Sequence, residues 1–157
     1  MKKILFYILA AVCLFSCASS RPGSMMTGPT IQYMYTHEDG SFTVRVAASG
    51  KTYSDALSNA KRYALKQVIF NGVANTESSI LAKPLVTEVN AEEKYQNFFN
   101  AFFADNGAYK KFATSQDKKK GSDKKNDDKI SVRITSTVRV LRADLKDYLI
   151  NNNILKP

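Results

Sequence analysis

Residues 42–73, FTVRVAASGKTYSDALSNAKRYALKQVIFNGV, place a strand pattern directly before a helix pattern. Over 42–48 apolar residues occupy every second position, which is the period of a half-buried strand. After Ser49-Gly50, a predicted turn, small and apolar residues recur at helical spacing: Tyr53, Ala56, Leu57, Ala60, Ala64 and Val68. The apolar strand face and the alanine-rich helix face must pack together, which favours folds that layer helices on a sheet.

Capping residues mark both ends of this predicted helix. Thr52 is a candidate N-cap, and Asp55 three residues later completes the pattern of a capping box. Asn71-Gly72 is typical of a helix C-terminus. The opposite side of the helix, which we expect to be solvated, carries Ser58, Arg62 and Lys66.

The N-terminus has the layout of a signal peptide. Two lysines precede an apolar run of 11 residues, Ile4 to Leu14, which is too short to span a bilayer of about 30 Å as a helix. Leu14-Phe15-Ser16-Cys17 resembles a bacterial lipobox, although Phe15 is bulkier than usual. The resemblance implies that residues 1–16 are removed and that Cys17 receives lipid, with acyl chains such as palmitate; the alternative is a plain secretory signal.

Residues 17–30 are predicted to form a flexible tether between the lipid and a single domain at 31–157. The segment ASSRPGSMMTGP is small, polar and interrupted by Gly and Pro. Acidic residues do not follow Cys17 directly, which favours an outer-membrane lipoprotein that faces the periplasm. The only other cysteine, Cys13, lies in the leader, so we expect no disulfide and no thiolate metal site in the domain.

The predicted domain begins with a β-hairpin. Residues 31–36 alternate, with Ile31, Tyr33 and Tyr35 on one face, and Asp39-Gly40 is a hairpin signal before the strand at 42–48. Residues 74–89 have no clear pattern, although Leu81, Leu85 and Val86 are candidates to cover an edge of the core.

An aromatic helix is predicted after this unassigned stretch. Asn90 and Glu93 have the spacing of a capping box. The next residues carry an aromatic stripe at helical spacing up to Asn106-Gly107: Tyr95, Phe98, Phe99, Phe102 and Phe103. We interpret the stripe as core, because its spacing matches one buried face; a ligand pocket or a membrane-facing surface is the alternative.

The last third of the chain predicts two strands and a helix. Residues 108–115 are expected to form a strand, and the lysine-rich run at 117–129, DKKKGSDKKNDDK, a mobile loop, because it contains no apolar residue. Residues 130–140, ISVRITSTVRV, alternate as a strand, with Arg133, Thr135, Thr137 and Arg139 directed away from the apolar side. Residues 141–151 follow as a helix, with its inner face formed by Leu141, Leu145, Tyr148 and Leu149.

The order of these elements is β-β-α-α-β-β-α. Strands that are adjacent in sequence are joined by hairpins, so we expect a mainly antiparallel sheet of about four strands with two to three helices on one face. This is a two-layer α+β domain. A length of 157 residues is consistent with one such domain and an N-terminal extension.

The pattern in this domain resembles a family of small envelope modules. The A-x-G strand end, the helix with Ala56, Ala60 and Ala64, and the final Leu141-x-x-x-Leu145-x-x-x-Leu149 are similar to the lipoprotein-20-like family and to the N-terminal domain of flagellar assembly protein T. The resemblance spans residues 42–155. It implies an α+β fold and an envelope location, and it carries over no active-site residues.

Four motifs have residue types that can support chemistry. Ser49-Gly50-Lys51-Thr52 resembles the end of a phosphate-binding loop, but Arg45 stands where that loop needs a glycine. Ser58-x-x-Lys61 and Ser115-x-x-Lys118 match a serine–lysine motif without its companion motif. His37, Glu38 and Asp39 could bind a metal weakly, but an exposed polar turn is the favoured explanation of these residues. We therefore expect no enzyme, no catalytic residue, no cofactor, no metal and no small-molecule substrate.

Charge is the remaining functional signal. The formal net charge is +9, which favours polyanionic partners. Arg45, Arg133 and Arg139 fall on the outward side of strands in one predicted sheet. This face is a candidate to bind an acidic partner, a glycan or lipid headgroups; the alternative, which the pattern favours, is a solvated polar face. We predict a lipid-anchored binding or assembly module that contacts an envelope protein. The alternatives are an adaptor for peptidoglycan or lipopolysaccharide and, as the weakest, a small hydrolase; nucleic acid does not suit an envelope protein.

Overall fold

The chain forms an antiparallel sheet against which its helices pack. A computed structural model describes residues 28–74, 83–117, 124–125 and 131–156. The predicted signal peptide, lipobox and Cys17 lie outside these residues, as do Leu81 and Ile130. Among the described residues, no helix has the length and the apolar character needed to cross a membrane.

The strands are β1 (Thr30–Thr36), β2 (Phe42–Gly50), β3 (Ala113–Ser115), β4 (Lys124–Lys125) and β5 (Val132–Val140). The helices are α1 (Tyr53–Lys66), α2 (Ala91–Lys94), α3 (Gln96–Phe102) and α4 (Arg142–Asn151). A π-helical turn (Gln67–Asn71) continues α1, and a 3-10 turn (Ala108–Lys111) precedes β3.

The sheet has the order β1-β2-β5-β3, and all neighbouring strands are antiparallel. β3 and β4 lie on the same side of β5: β4 pairs with the start of β5, and β3 pairs with its end. The two short strands therefore occupy one strand position, with registers that differ by four residues. The predicted α+β class, the element order β-β-α-α-β-β-α and the four-stranded antiparallel sheet are confirmed.

The core lies between α1 and the central strands. The inward residues of β2 are Phe42, Val44, Val46 and Ala48, and those of β5 are Ile134, Ser136, Val138 and Val140. Ala56, Ala60 and Ala64 of α1 are fully buried against them, and their small side chains allow the helix backbone to approach the sheet. Leu65 and Ile69 are also fully buried, so the buried face is wider than the predicted stripe.

Gly50 is the last residue of β2 rather than a residue of a free turn. A Cβ atom at this position would lie 2.3 Å from the backbone nitrogen of Ala56, in the first turns of α1. Only glycine permits this contact without a shift of backbone. The glycine in the Ser-Gly-Lys-Thr segment is therefore explained by strand–helix packing.

The predicted N-cap of α1 is confirmed. The Thr52 hydroxyl accepts a hydrogen bond from the Asp55 amide at 3.1 Å, and the Asp55 carboxylate accepts one from the Thr52 amide at 3.1 Å. The predicted C-terminal stop is also confirmed, because Gly72 adopts a φ of 79° after the π-helical turn. Beyond this turn, the amides of Leu85 and Val86 donate to the carbonyls of Val68 and Ile69, so these two residues of the unassigned stretch pack against the π-helical turn.

The aromatic stripe is part of the core, as predicted. Phe99 and Phe102 are buried, and Tyr95, Phe98 and Phe103 pack partly buried against them. The predicted capping box at Asn90 is wrong. Asn90 has a left-handed φ of 60° and makes no side-chain cap, whereas a capping side chain needs extended backbone. The helix is also interrupted at Tyr95, between α2 and α3.

Two strand predictions need correction. Residues 108–111 form a 3-10 turn instead of a strand, and this turn buries the Tyr109 side chain, which is 1% exposed. In β1, the register shifts between Tyr33 and Tyr35, so that Met34 forms a bulge. A bulge of one residue moves the next side chain to the other face. Tyr35 therefore leaves the face of Ile31 and Tyr33 and is 46% exposed.

The side of α1 that was expected to be solvated contacts α2 and the residues that follow α3. The Arg62 side chain is 22% exposed, and its guanidinium donates to the Phe103 carbonyl at 2.9 Å and pairs with Asp105 at 2.6 Å. Lys66 pairs with Glu92 at 2.6 Å, and Ser58 is half-buried. These contacts join α1 to the segment that carries the aromatic residues.

The predicted loop at 117–129 is partly wrong. Asp117 accepts a hydrogen bond from the Thr137 amide, and Lys124–Lys125 form β4. A backbone that alternates donors and acceptors can pair at a sheet edge even where the side chains are charged. The other residues of the run lie outside the described ranges.

We expect Gly50→Ala to lower the free energy of unfolding by about 1–3 kcal/mol, because the new methyl group overpacks the strand–helix contact. Urea denaturation of the wild type and the variant measures this loss. Gly28→Ala is the matched control, since a Cβ atom there meets nothing within 4 Å. Equal stability of the two variants would contradict the packing explanation.

Candidate functional site: the open face of the sheet

The side of the sheet opposite the core, here called the open face, is lined by outward side chains of the four strand positions. They are Thr30, Gln32 and Tyr35 of β1, Thr43, Arg45 and Ala47 of β2, Arg133, Thr135, Thr137 and Arg139 of β5, and Thr114 of β3. Gln32, Arg45, Thr135 and Thr114, one from each strand position, are exposed. No described element covers this part of the open face.

The three predicted partner-binding arginines all lie on the open face, but they are not equally close. Arg45 is opposite Thr137, which makes Arg139 its diagonal neighbour. Arg133 is opposite Ser49, about 13 Å along the strand from Thr137 at the usual rise per residue. The sheet thus brings two of the arginines together and leaves the third near one end.

Arg139 is held by the β1–β2 turn. Its guanidinium donates to the Asp39 carboxylate at 2.6 Å and to the Ser41 hydroxyl at 2.8 Å. The same carboxylate accepts hydrogen bonds from the Ser41 hydroxyl at 2.6 Å and from the Ser41 amide at 3.0 Å. This turn network, Asp39–Ser41–Arg139, neutralises much of the Arg139 charge, which makes Arg139 a weaker candidate for an external ligand.

The turn network keeps the Asp39 carboxyl ionised. The hydrogen bonds from the Ser41 hydroxyl and amide, together with the nearby Arg139 charge, lower the pKa of Asp39 to about 2. The ordinary value is 3.8. The carboxylate therefore remains an acceptor throughout the neutral and weakly acidic range.

Arg133 and Arg45 have different surroundings. The Arg133 guanidinium donates to the Gly28 carbonyl at 3.1 Å, where the chain enters the domain. Arg45 is exposed and has no hydrogen-bond or ion-pair partner among the described residues. Arg45 is consequently the cation of the open face that is best placed to meet an external group.

His37 has a structural role in the same region. Its Nε2 lies 2.9 Å from the Thr43 hydroxyl, and its ring contacts Tyr35 at 5.0 Å between centroids. These neighbours and Arg139 explain why Thr43 is fully buried although it points outward. Within the described ranges, the structure shows no group of three or more His, Cys, Asp or Glu residues that could hold a metal.

The serine–lysine motifs are not assembled into a site in the described part of the chain. Ser115 contacts the Ser136 hydroxyl at 3.1 Å, and Lys118 lies outside the described residues. No described hydrogen bond joins Ser58 and Lys61. Burial and, secondarily, the charge of Lys110 lower the pKa of Lys61.

A groove of about 610 Å³ lies between α1 and the α2–α3 segment. It is lined by Lys66, Glu92, Glu93, Gln96, Phe99, Asn100 and Phe103. Lys66 and Glu92 pair with each other, whereas Glu93 is exposed and has no ion-pair partner among the described residues. The described lining of the groove therefore carries no cation that is free of an ion pair, in contrast to Arg45 on the open face.

Sequence reasoning placed the three arginines on one face and missed the turn network. The spacing of Asp39 and Ser41 is that of a carboxylate that accepts from a backbone amide two residues later, which is a local signal for a side-chain-supported turn. The contact of Arg139 with this turn joins residues about a hundred positions apart. Sequence periodicity alone carries no signal for that contact.

Comparisons of the chain with protein-family models, with curated proteins and with solved structures find no match. The resemblance to the lipoprotein-20-like family and to the N-terminal domain of flagellar assembly protein T stays a prediction.

Acidification is expected to release the turn network. The depressed pKa of Asp39 means that its contribution to stability is present above pH 3.8 and is lost as the pH falls towards about 2. Between these values the melting temperature of the wild type should fall more steeply than that of Asp39→Asn. The variant should already be less stable at neutral pH. Thermal melts across this range measure both effects.

The control for this experiment is Asp147→Asn, which removes an exposed carboxylate from α4. It should follow the wild-type profile. Parallel profiles for Asp39→Asn and the wild type would show that the network does not couple protonation to stability.

Proposed function

We propose that this protein is a lipid-anchored component of the bacterial cell envelope that acts as a non-catalytic binding or assembly module. In this proposal, the lipid is attached at Cys17, the domain faces the periplasm from the outer membrane, and the open face contacts another envelope protein. The observation that carries the proposed contact is the exposed Arg45, which has no partner within the described ranges and lies on a sheet face that no described element covers.

The surroundings of Arg45 favour a broad contact. Gln32 and Thr137 are its partners across the two neighbouring strands, so the guanidinium stands among shorter polar side chains. Such a surface suits a protein partner better than a small ligand, which usually requires a concave site. A carboxylate on the partner could accept two parallel hydrogen bonds from the guanidinium, which adds geometric specificity.

The turn network supports the same contact from one side. It connects the β1–β2 turn to β5 through Arg139, which is the diagonal neighbour of Arg45. A surface that is rigid before binding loses less conformational entropy on association. Arg139 is therefore proposed to support the open face, while Arg45 makes the contact.

Arg45→Glu should reduce the recovery of a defined partner about tenfold or more, because loss of one buried charge pair costs at least that much affinity. Crosslinking in the native envelope followed by affinity purification and mass spectrometry measures the recovery. Lys146→Glu, an equal change of charge at an exposed site on α4, is the control. Unchanged recovery with Arg45→Glu would rule out the open face as the contact.

A second candidate function is an adaptor for an anionic polymer such as peptidoglycan or lipopolysaccharide. The observation that favours it is the presence of three arginines and no carboxylate among the strand residues of the open face. Its distinguishing property is co-sedimentation with the polymer that weakens with salt and with Arg45→Ala combined with Arg133→Ala. Arg139 is left unchanged in this test, because its removal would disrupt the turn network.

The proposed anchor predicts the mass of the mature N-terminus. The first residue should be Cys17, with the added mass of a diacylglyceryl group and any further acyl chain. Mass spectrometry of the N-terminal peptide from membrane fractions measures this, and Cys17→Ser should remove the lipid mass. An unmodified Cys17 in the mature wild-type protein would exclude lipid attachment at this residue.

A further inference from the structure

We infer that the groove between α1 and the α2–α3 segment binds an uncharged oligosaccharide that contains N-acetylated sugars. This groove, here called the helix groove, has a volume of about 610 Å³, which lies within the usual range of ligand sites. The inference goes beyond the proposed function, because it assigns a second binding site away from Arg45 and the open face. It depends neither on that contact nor on lipid attachment at Cys17.

Three hydrogen-bonding side chains of the helix groove have no partner of their own. Gln96 and Asn100 are one turn apart on α3, so their amides border the groove from the same face of the helix. Glu93 of α2 lies beside them in the lining. All three residues are exposed, and their side chains make no hydrogen bond or ion pair within the described ranges. A ligand can therefore bond to all three without breaking an internal contact.

The two walls of the helix groove are joined by contacts that exist without a ligand. Lys66 of α1 pairs with Glu92 at 2.6 Å, and its ammonium lies 5.5 Å from the centroid of the Phe103 ring. One turn earlier, the Arg62 guanidinium donates to the Phe103 carbonyl at 2.9 Å. These contacts form the groove in advance, and a site that is formed in advance loses less conformational entropy on binding.

Charge excludes one class of ligand. The Lys66 ammonium is paired with Glu92, which leaves the Glu93 carboxylate as the charge in the described lining that has no ion-pair partner. The helix groove is therefore negative, although the formal net charge of the chain is +9. A phosphate or carboxylate ligand would be repelled here. Uncharged ligands and cations remain.

The apolar area of the helix groove is too small for an apolar ligand. Phe99 is only 2% exposed, and Phe103 is half-buried with the Lys66 ammonium near its ring. A peptide that binds through large apolar side chains needs desolvated pockets for them. A sugar makes a smaller demand, since its hydroxyls both donate and accept hydrogen bonds. Its hydroxyls match the amides and the carboxylate of the lining.

The two amides favour an acetamido group over a cation. The side chains of Gln96 and Asn100 each offer N–H donors and a carbonyl acceptor, and an acetamido group offers one of each in return. A cation has no acceptor and would leave the N–H donors of both amides unused. Because the amides are about 6 Å apart along α3, one can bond the acetamido group while the other meets a hydroxyl of a neighbouring sugar.

The test is an NMR titration of the chain from residue 17 with Cys17→Ser, which keeps every described residue. The isotope-labelled protein is titrated with a tetramer of N-acetylglucosamine, and the side-chain amide signals of Gln96 and Asn100 should shift as the complex forms. The test variant combines Gln96→Ala with Asn100→Ala. We expect its affinity to be at least tenfold lower, because two hydrogen bonds to the sugar are lost.

The control variant combines Gln32→Ala with Asn97→Ala. It removes the same two types of side chain from exposed positions outside the lining of the helix groove. It should bind the tetramer as the wild type does, and thermal melts show whether both variants are folded. Absence of any shift in the wild type at millimolar tetramer, or equal loss of affinity in the two folded variants, would overturn the inference.

A second probe separates an uncharged ligand from a cation. The deacetylated tetramer, whose amines are protonated in weakly acidic buffer, should bind more weakly than the acetylated one. Glu93→Gln keeps a hydrogen-bond acceptor, so it should change the affinity for the acetylated tetramer only slightly. Tighter binding of the deacetylated tetramer that Glu93→Gln abolishes would overturn the inference in favour of a cationic ligand.

Two further measurements separate the helix groove from the proposed function. Arg45→Glu should leave the titration unchanged while it reduces partner recovery, and the Gln96→Ala, Asn100→Ala variant with Cys17 restored should still recover the partner. Added salt should leave tetramer binding nearly unchanged, since the ligand is uncharged, whereas salt weakens the co-sedimentation expected of an anionic polymer. Failure of one experiment thus leaves the other site independently tested.

Discussion

The close approach of α1 to the sheet is the contact on which the remaining structure depends. Gly50 admits the backbone of Ala56 at the end of β2, and fully buried alanines keep the helix near the sheet along its length. Because α1 packs so close to the sheet, Arg62 and Lys66 on its outer side reach Asp105 and Glu92. These two ion pairs join α1 to the segment that carries the aromatic residues. The helices thereby occupy one layer, and the opposite side of the sheet keeps its polar, exposed surface.

Local patterns predicted the parts of the fold whose cause is local. The alternation of β5, the cap at Thr52 and the stop at Gly72 each depend on neighbouring residues, and all three are present. The bulge at Met34 and the left-handed Asn90 were missed. A one-residue shift of register or a single positive φ leaves the spacing of apolar residues in the sequence unchanged, so the pattern carried no signal for either feature.

The same distinction applies to the candidate site. Strand periodicity was sufficient to direct Arg45, Arg133 and Arg139 to one face, because side-chain direction in a strand alternates strictly. It could not distinguish their surroundings, since Arg139 meets Asp39 and Ser41 from the other end of the chain. Arginines that are equivalent in pattern therefore differ in their surroundings: Arg139 is bonded to the β1–β2 turn, Arg133 is bonded to the Gly28 carbonyl, and Arg45 is exposed.

The bulge in β1 changes the exposed edge of the sheet, and this edge would matter most if the domain is anchored as proposed. β1 is at the edge of the sheet order, and an edge strand can pair with the edge of another copy. Attachment to a surface would raise the local concentration of copies and so the rate of such encounters. The irregular register at Met34 interrupts a continuous hydrogen-bonding edge, which would protect a population anchored as proposed from self-association into extended sheets.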